Sequence, residues 1–181
     1  IAAALHAKYP KMQLKVYGYF FCAVPPEVKV HHAITVSFCP YVRNDKQTLH
    51  GESNARWLKR TIKWTEMCKN VNWREYYYSG AGYPRAQANI IAQDLRFINK
   101  RGVKMISPEL SWGDVTYRLR DKGPQDQEFF TMCGPEFWTI CQLYWDPSQD
   151  ADELRNEYIK RTYREAAPAV SKFYKIICDD W

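Results

Sequence analysis

"AQANIIAQDLRFINKRGVKMISPELSW" (residues 86–112) decides how this chain is read. Ile91, Leu95 and Ile98 recur at helical spacing and put one apolar stripe on a helix over residues 86–100. Arg101-Gly102 follows, with the glycine that ends helices just past their last turn. Residues 103–107, "VKMIS", then read as a short apolar strand, closed by a polar turn that presents Glu109 and Trp112. A helix that runs within a few residues into a strand is half of a βαβ unit.

The same grammar extends upstream. "LKVYGYFF" (14–21) reads as a strand buried on both sides, and "HAITVSF" (32–38) as the next, with the Pro25-Pro26 turn between them. After a polar loop at 42–53, residues 54–70 read as a helix with Ser53 as N-cap. Its stripe is Trp57, Thr61, Trp64 and Cys68, so both tryptophans are expected in the core. "WREYYYSG" (73–80) reads as a strand stopped by Gly80-Ala81-Gly82. Residues 113–127 read as a polar loop or lid.

Helices follow. Residues 128–144 form one helix that Gly134-Pro135 threatens to break. Asp150, with Glu153 three residues on, has the pattern of a capping box. Pro168 opens a last helix whose stripe is Val170, Phe173, Tyr174 and Ile177. The opening Ala2-Ala3-Ala4-Leu5 reads as the end of a helix already in progress, and the chain as the later part of a longer polypeptide.

The order implies an α/β fold: a partial, TIM-like β/α half-barrel of four parallel strands over residues 1–127. A C-terminal helical tail, 128–181, packs on the same domain. An open doubly wound sheet is the alternative, but no glycine-rich phosphate loop follows any strand.

Composition narrows the function. The chain has 181 residues and a net charge of +6, with its basic residues scattered among acids and aromatics. Nucleic-acid binding, which wants a concentrated basic face, is not expected. The apolar runs are too short for a membrane span. Six dispersed cysteines without a C-x-x-C pair give no zinc pattern, and neither metal nor cofactor is expected. The outstanding figure is seven Trp, thirteen Tyr and eight Phe. Flat apolar rings with polar edges suit sugars and also protein interfaces.

In a parallel β/α architecture the site lies at the carboxyl ends of the strands. Tyr19, Tyr41, Tyr77 and Tyr78 fall there as candidate sugar-contacting rings, with Trp112 as a stacking platform. Glu109 is the candidate catalytic carboxylate, and a neighbouring indole would raise its pKa by desolvation. It reads equally as an ordinary strand-end acid. Glycoside hydrolysis needs a second carboxylate. Asp114 and Glu52 sit on loops at plausible ends, and neither stands out.

Two stretches carry a family likeness. "QLYWDPSQDADELRNEYIKRTYREAAPAVSKFY" (142–174) resembles the closing helices of a bacterial domain-of-unknown-function family found in large glycan-degrading proteins. "LKVYGYFFCAVPPE" (14–27) resembles that family's Tyr-containing strand end before Pro-Pro, and "GVKMISPE" (102–109) falls in the same order. The family is similar to α-glucuronidase and β-hexosaminidase barrels. The resemblance implies the later half of a β/α barrel, glycoside hydrolysis of a polysaccharide, an exported protein, and a missing N-terminal half or a homo-oligomeric partner to complete the barrel. The family's strand-four acid aligns with Glu109, but Leu110-Ser111-Trp112 depart from the glycine that usually follows it. A non-catalytic carbohydrate-binding domain and a structural or assembly fragment are the competing expectations.

Overall fold

The computed structural model describes residues 1–77, 84–108 and 125–181, with side chains in the last stretch from residue 133 on. The chain divides into two compact units, Ile1–Tyr76 with Phe97–Glu109, and Tyr77–Arg96 with Leu110–Trp181.

The first unit is built on one parallel sheet. Its strands β1 (Leu14–Gly18), β2 (Ile34–Phe38), β3 (Asn70–Trp73) and β4 (Met105–Ile106) are neighbours in chain order. Every pair is parallel. A doubly wound sheet reverses its strand order at a switch point, whereas consecutive neighbours are the order of a β/α barrel. The fold is a partial β/α barrel.

Helix α1 (Ala2–Lys8) precedes β1, and α2 (Ala55–Met67) joins β2 to β3. Trp57, Thr61, Trp64 and Met67 are the buried face of α2, as its periodicity requires. The rings of Trp57 and Trp64 lie 6.3 and 6.2 Å from Phe38, which Trp73 meets from the next strand at 5.9 Å. Four aromatic side chains thus make the core between α2 and the sheet.

Asn54, not Ser53, precedes α2, and its side chain does not cap the helix. It turns into the loop after β2 instead. Its Nδ2 donates to the carbonyls of Asn44, Gln47 and Thr48 at 2.8, 3.0 and 2.9 Å. Its Oδ1 accepts from the Asn44 N–H at 2.9 Å. Fully buried, this amide satisfies backbone groups that the irregular loop cannot pair within itself.

Two strands differ from their sequence reading. β1 stops at Gly18 and is exposed over most of its length, because among the described residues β2 is its one partner in the sheet. Phe20 then turns the chain with φ of 47° into a 3-10 turn, Phe20–Ala23. β3 runs over residues 70–73 rather than 73–80. Its ladder ends where β2 ends, at Phe38↔Trp73, since Cys39-Pro40 takes β2 out of the sheet. The tyrosine-rich stretch therefore starts beyond the strand.

Helix α3 (Ala88–Lys100) buries Ile91, Leu95 and Ile98, and Gly102 follows with φ of 87°. The N–H of Gly102 reaches the Asn99 carbonyl at 2.9 Å and that of Val103 the Ile98 carbonyl at 3.1 Å. That pair of bonds is a Schellman cap, and the left-handed residue it needs is the glycine.

The second unit holds α4 (Gln125–Trp145), α5 (Ala151–Tyr163) and α6 (Ala167–Asp180), the last two joined by a 3-10 turn, Arg164–Ala166. Gly134-Pro135 does not break α4. A Cβ at position 134 would stand 2.6 Å from the Tyr158 hydroxyl, so the glycine lets α5 approach closely. Asp150 caps α5 as expected, accepting from the N–H groups of Asp152 and Glu153, both at 2.9 Å. Of the α6 stripe only Tyr174 is buried, and Phe173 is half exposed.

Glu136 of α4 is completely buried, and its Oε2 accepts from the Ala88 N–H at 3.0 Å. A carboxylate thus serves one of the unpaired donors in the first turn of α3. Its other oxygen accepts from Arg155 Nε of α5. Burial pushes the Glu136 carboxyl upward, and Arg155 opposes that. Among the described residues, no helix is long and apolar enough to cross a membrane. The six cysteines are unbridged.

Candidate functional site at the carboxyl ends of the strands

Three strands deliver aromatic rings to one place in the first unit. Tyr19 and Phe20 follow β1, Tyr41 follows β2 and Tyr76 follows β3. Tyr19 lies 5.3 Å from Tyr41 and 6.2 Å from Tyr76 between ring centroids, and Tyr41 lies 5.0 Å from Tyr76. Phe20 closes the group at 4.2 Å from Tyr19 and 5.7 Å from Tyr41. Most contacts are edge-on or tilted, the arrangement that ring quadrupoles prefer. The cluster is not sealed: Phe20 is 62% and Tyr41 36% exposed. Burial, with Cys39 adding to it, pushes the Tyr76 phenol well above its ordinary value. At physiological pH it stays a neutral hydroxyl, able to donate and accept.

The loops that carry Tyr41 and Tyr76 are tied together underneath. Arg43 Nε donates to Glu75 Oε1 at 2.6 Å, with both side chains about as buried as the core, 3% and 4% exposed. Arg43 Nη1 also donates to the Gln47 carbonyl at 3.2 Å, in the loop that Asn54 holds. Arg74 lies over the rings of Tyr17 and Tyr76, at 5.7 and 6.0 Å. Across the sheet, Asn72 Nδ2 donates to Ser37 Oγ at 2.9 Å, and Ser107 Oγ donates to Asn72 Oδ1 at 3.1 Å. This polar relay joins β2, β3 and the end of β4 on the sheet face opposite α2.

Of the residues singled out from sequence, Tyr19 and Tyr41 meet in this cluster. Tyr77 is buried, with its ring stacked 6.3 Å from Tyr144. Glu109, Trp112 and Tyr78 lie outside the described residues, as do Asp114 and nearly all of the 113–127 loop. Sequence reasoning passed over Glu75 and with it the pair that Glu75 makes with Arg43. The signal was a lone acid inside an aromatic run, "WREYYY", obscured because that run reads as strand. His50, in the loop before α2, sits edge-on against Phe97 at 4.7 Å.

No group of three or more His, Cys, Asp or Glu among the described residues is arranged to hold a metal ion. The site's chemistry is instead rings, hydroxyls and a buried carboxylate–guanidinium pair. Comparison with curated proteins and with solved structures returns no match. Over residues 1–175 the sequence matches the model of the family described as Domain of unknown function (DUF4838), and the chain belongs to that family.

Proposed function

We propose that this domain is a glycoside hydrolase barrel domain acting on a polysaccharide, with its sugar cleft at the carboxyl ends of the strands. The observation that carries the reading is the convergence of Tyr19, Tyr41 and Tyr76, from the ends of three successive strands, into one partly exposed ring cluster. Ring faces bury the apolar faces of pyranose units, and phenol edges bond their hydroxyls.

Hydrolysis takes two carboxyl groups. One protonates the leaving oxygen, and the other acts as nucleophile or activates water. Glu109 and Glu75 are the pair proposed. Glu75 carries a guanidinium partner, which favours the charged form that a nucleophile or base needs. Glu109 is the acid proposed, the carboxylate that the sequence offers after β4. The resemblance supports the same activity and an exported location.

A second reading, carbohydrate binding without hydrolysis, draws on the same rings and on the commitment of Glu75 to Arg43. The test is affinity electrophoresis and reducing-end release on a panel of neutral and acidic polysaccharides, using the full-length polypeptide. Tyr41→Ala is expected to weaken binding about tenfold, the equivalent of about 1.4 kcal/mol. Glu109→Gln is expected to abolish release while binding persists. Binding without release in the wild-type protein selects the second reading. No binding to any glycan refutes both.

A further inference from the structure

The face of α2 beside its buried stripe is basic. Arg56, Lys59, Arg60 and Lys63 stand at i, i+3, i+4 and i+7, so each has like-charged neighbours one turn away. Among the described residues, none of the four makes an ion pair. The Arg56 and Arg60 guanidinium groups instead crowd one ring, 5.0 and 5.1 Å from the centroid of the buried Trp57. Arg60 is half-buried, and burial, then Arg56, lower its pKa from the ordinary value. Like charges at this spacing destabilise a helix. A bound anion relieves that repulsion.

This face is one wall of a cleft of about 540 Å³. The other wall is the chain between β1 and β2, at Val24, Pro25 and Glu27, and Ile62 adds to the apolar lining. The two walls are fastened to each other. Trp64 Nε1 donates to the Ala23 carbonyl at 3.1 Å, Lys29 Nζ to the Glu66 carbonyl at 2.5 Å, and the Val30 N–H to the Met67 carbonyl at 2.8 Å. The cleft is therefore pre-formed, and a ligand entering it has no loop to order. Two acids line it: Glu66 faces Arg101 at 3.6 Å, and Glu27 is exposed. Against four cations they leave the cleft positive.

Val24 lies four residues beyond Phe20 of the ring cluster. Four residues span at most about 14 Å, so the cleft begins within that distance of the rings. We infer that the polysaccharide is acidic, and that α2 holds its carboxylate or sulfate groups where the glycan passes from the ring cluster into this cleft. The inference rests on the glycan reading of that cluster. Guanidinium and ammonium groups bind such oxyanions through charge-assisted hydrogen bonds, while Val24, Pro25 and Ile62 take the apolar faces of the sugars.

Affinity electrophoresis of the full chain tests it with two matched pairs, polygalacturonate against its carboxyl-reduced form and dextran sulfate against dextran, and with a thymidine oligonucleotide. At least one acidic polymer is expected to bind about tenfold more tightly than its neutral counterpart, and the pair that shows it identifies carboxylate or sulfate. Raising the salt from about 0.05 to about 0.3 M shortens the reach of these charges and should weaken acidic binding about fivefold. Lys59→Ala with Lys63→Ala removes two cations and their mutual repulsion. It should weaken acidic binding about tenfold while the melting temperature holds or rises. Neutral polymers bound as tightly as acidic ones would overturn the inference and leave the glycan reading standing. Acidic binding that the double variant leaves unchanged, or an oligonucleotide bound as tightly as the acidic glycans, also overturns it. No binding to any of the four polysaccharides overturns both.

Discussion

Removing one half of the Arg43–Glu75 pair is expected to cost more than removing both. The two side chains meet at 2.6 Å and are 3% and 4% exposed, so solvent screens them little. With an effective dielectric constant of about 20, unit charges about 4 Å apart attract by about 4 kcal/mol. Measured losses on breaking a buried pair run at about 3–5 kcal/mol, because the remaining charge stays buried and unpaired. Arg43→Met and Glu75→Leu are each expected to lose that much. Arg43→Met with Glu75→Leu should lose less than either single change, since two apolar groups leave no buried charge. Urea unfolding followed by tryptophan fluorescence suits the question, because Trp57, Trp64 and Trp73 line the core between α2 and the sheet of the same unit. A single variant that loses less than about 1 kcal/mol, the range of exposed pairs, would refute the reasoning. So would strict additivity in the double variant. The double variant should still bind glycan poorly, because the tie between the loops of Tyr41 and Tyr76 is gone.

Three further outcomes follow from the structure. Asn54→Ala removes a buried amide that makes four hydrogen bonds to the loop before α2, and a loss of about 2–4 kcal/mol is expected in the same urea assay, with faster amide exchange at Asn44 and Gln47. Asp150→Ala leaves two N–H groups at the start of α5 without an acceptor, and calorimetry should register a loss of about 1 kcal/mol. Alkali should destabilise the fold: burial, and then Glu136, push the Cys133 thiol from 9.0 up to about 12, and burial also pushes the Tyr76 and Tyr174 phenols upward. The folded chain then holds protons that the unfolded chain releases, so stability is full below about pH 9 and falls as pH rises through the folded values. A urea midpoint that stays flat from pH 8 to 11, or a slope that Cys133→Ala leaves unchanged, would contradict this.

Local pattern was enough to determine much of this protein. The buried faces of α2 and α3 follow from apolar residues at helical spacing, the end of α3 from Gly102, and the start of α5 from Asp150. Helices alternating with short apolar runs determined the parallel α/β class. All of these are interactions over a turn or two of chain, which a one-dimensional reading can see. Only the tertiary structure decided where β3 ends. Its ladder extends as far as β2 offers a partner, and β2 leaves the sheet at Cys39-Pro40. That end point moves Glu75 and Tyr76 out of a strand and into the candidate site. The meeting of Tyr19, Tyr41 and Tyr76, the Arg43–Glu75 pair and the Glu136–Arg155 pair likewise join residues far apart in the chain. Spacing along the sequence carries no record of such contacts, because they exist only once the sheet and the helix packing have brought the backbone segments together.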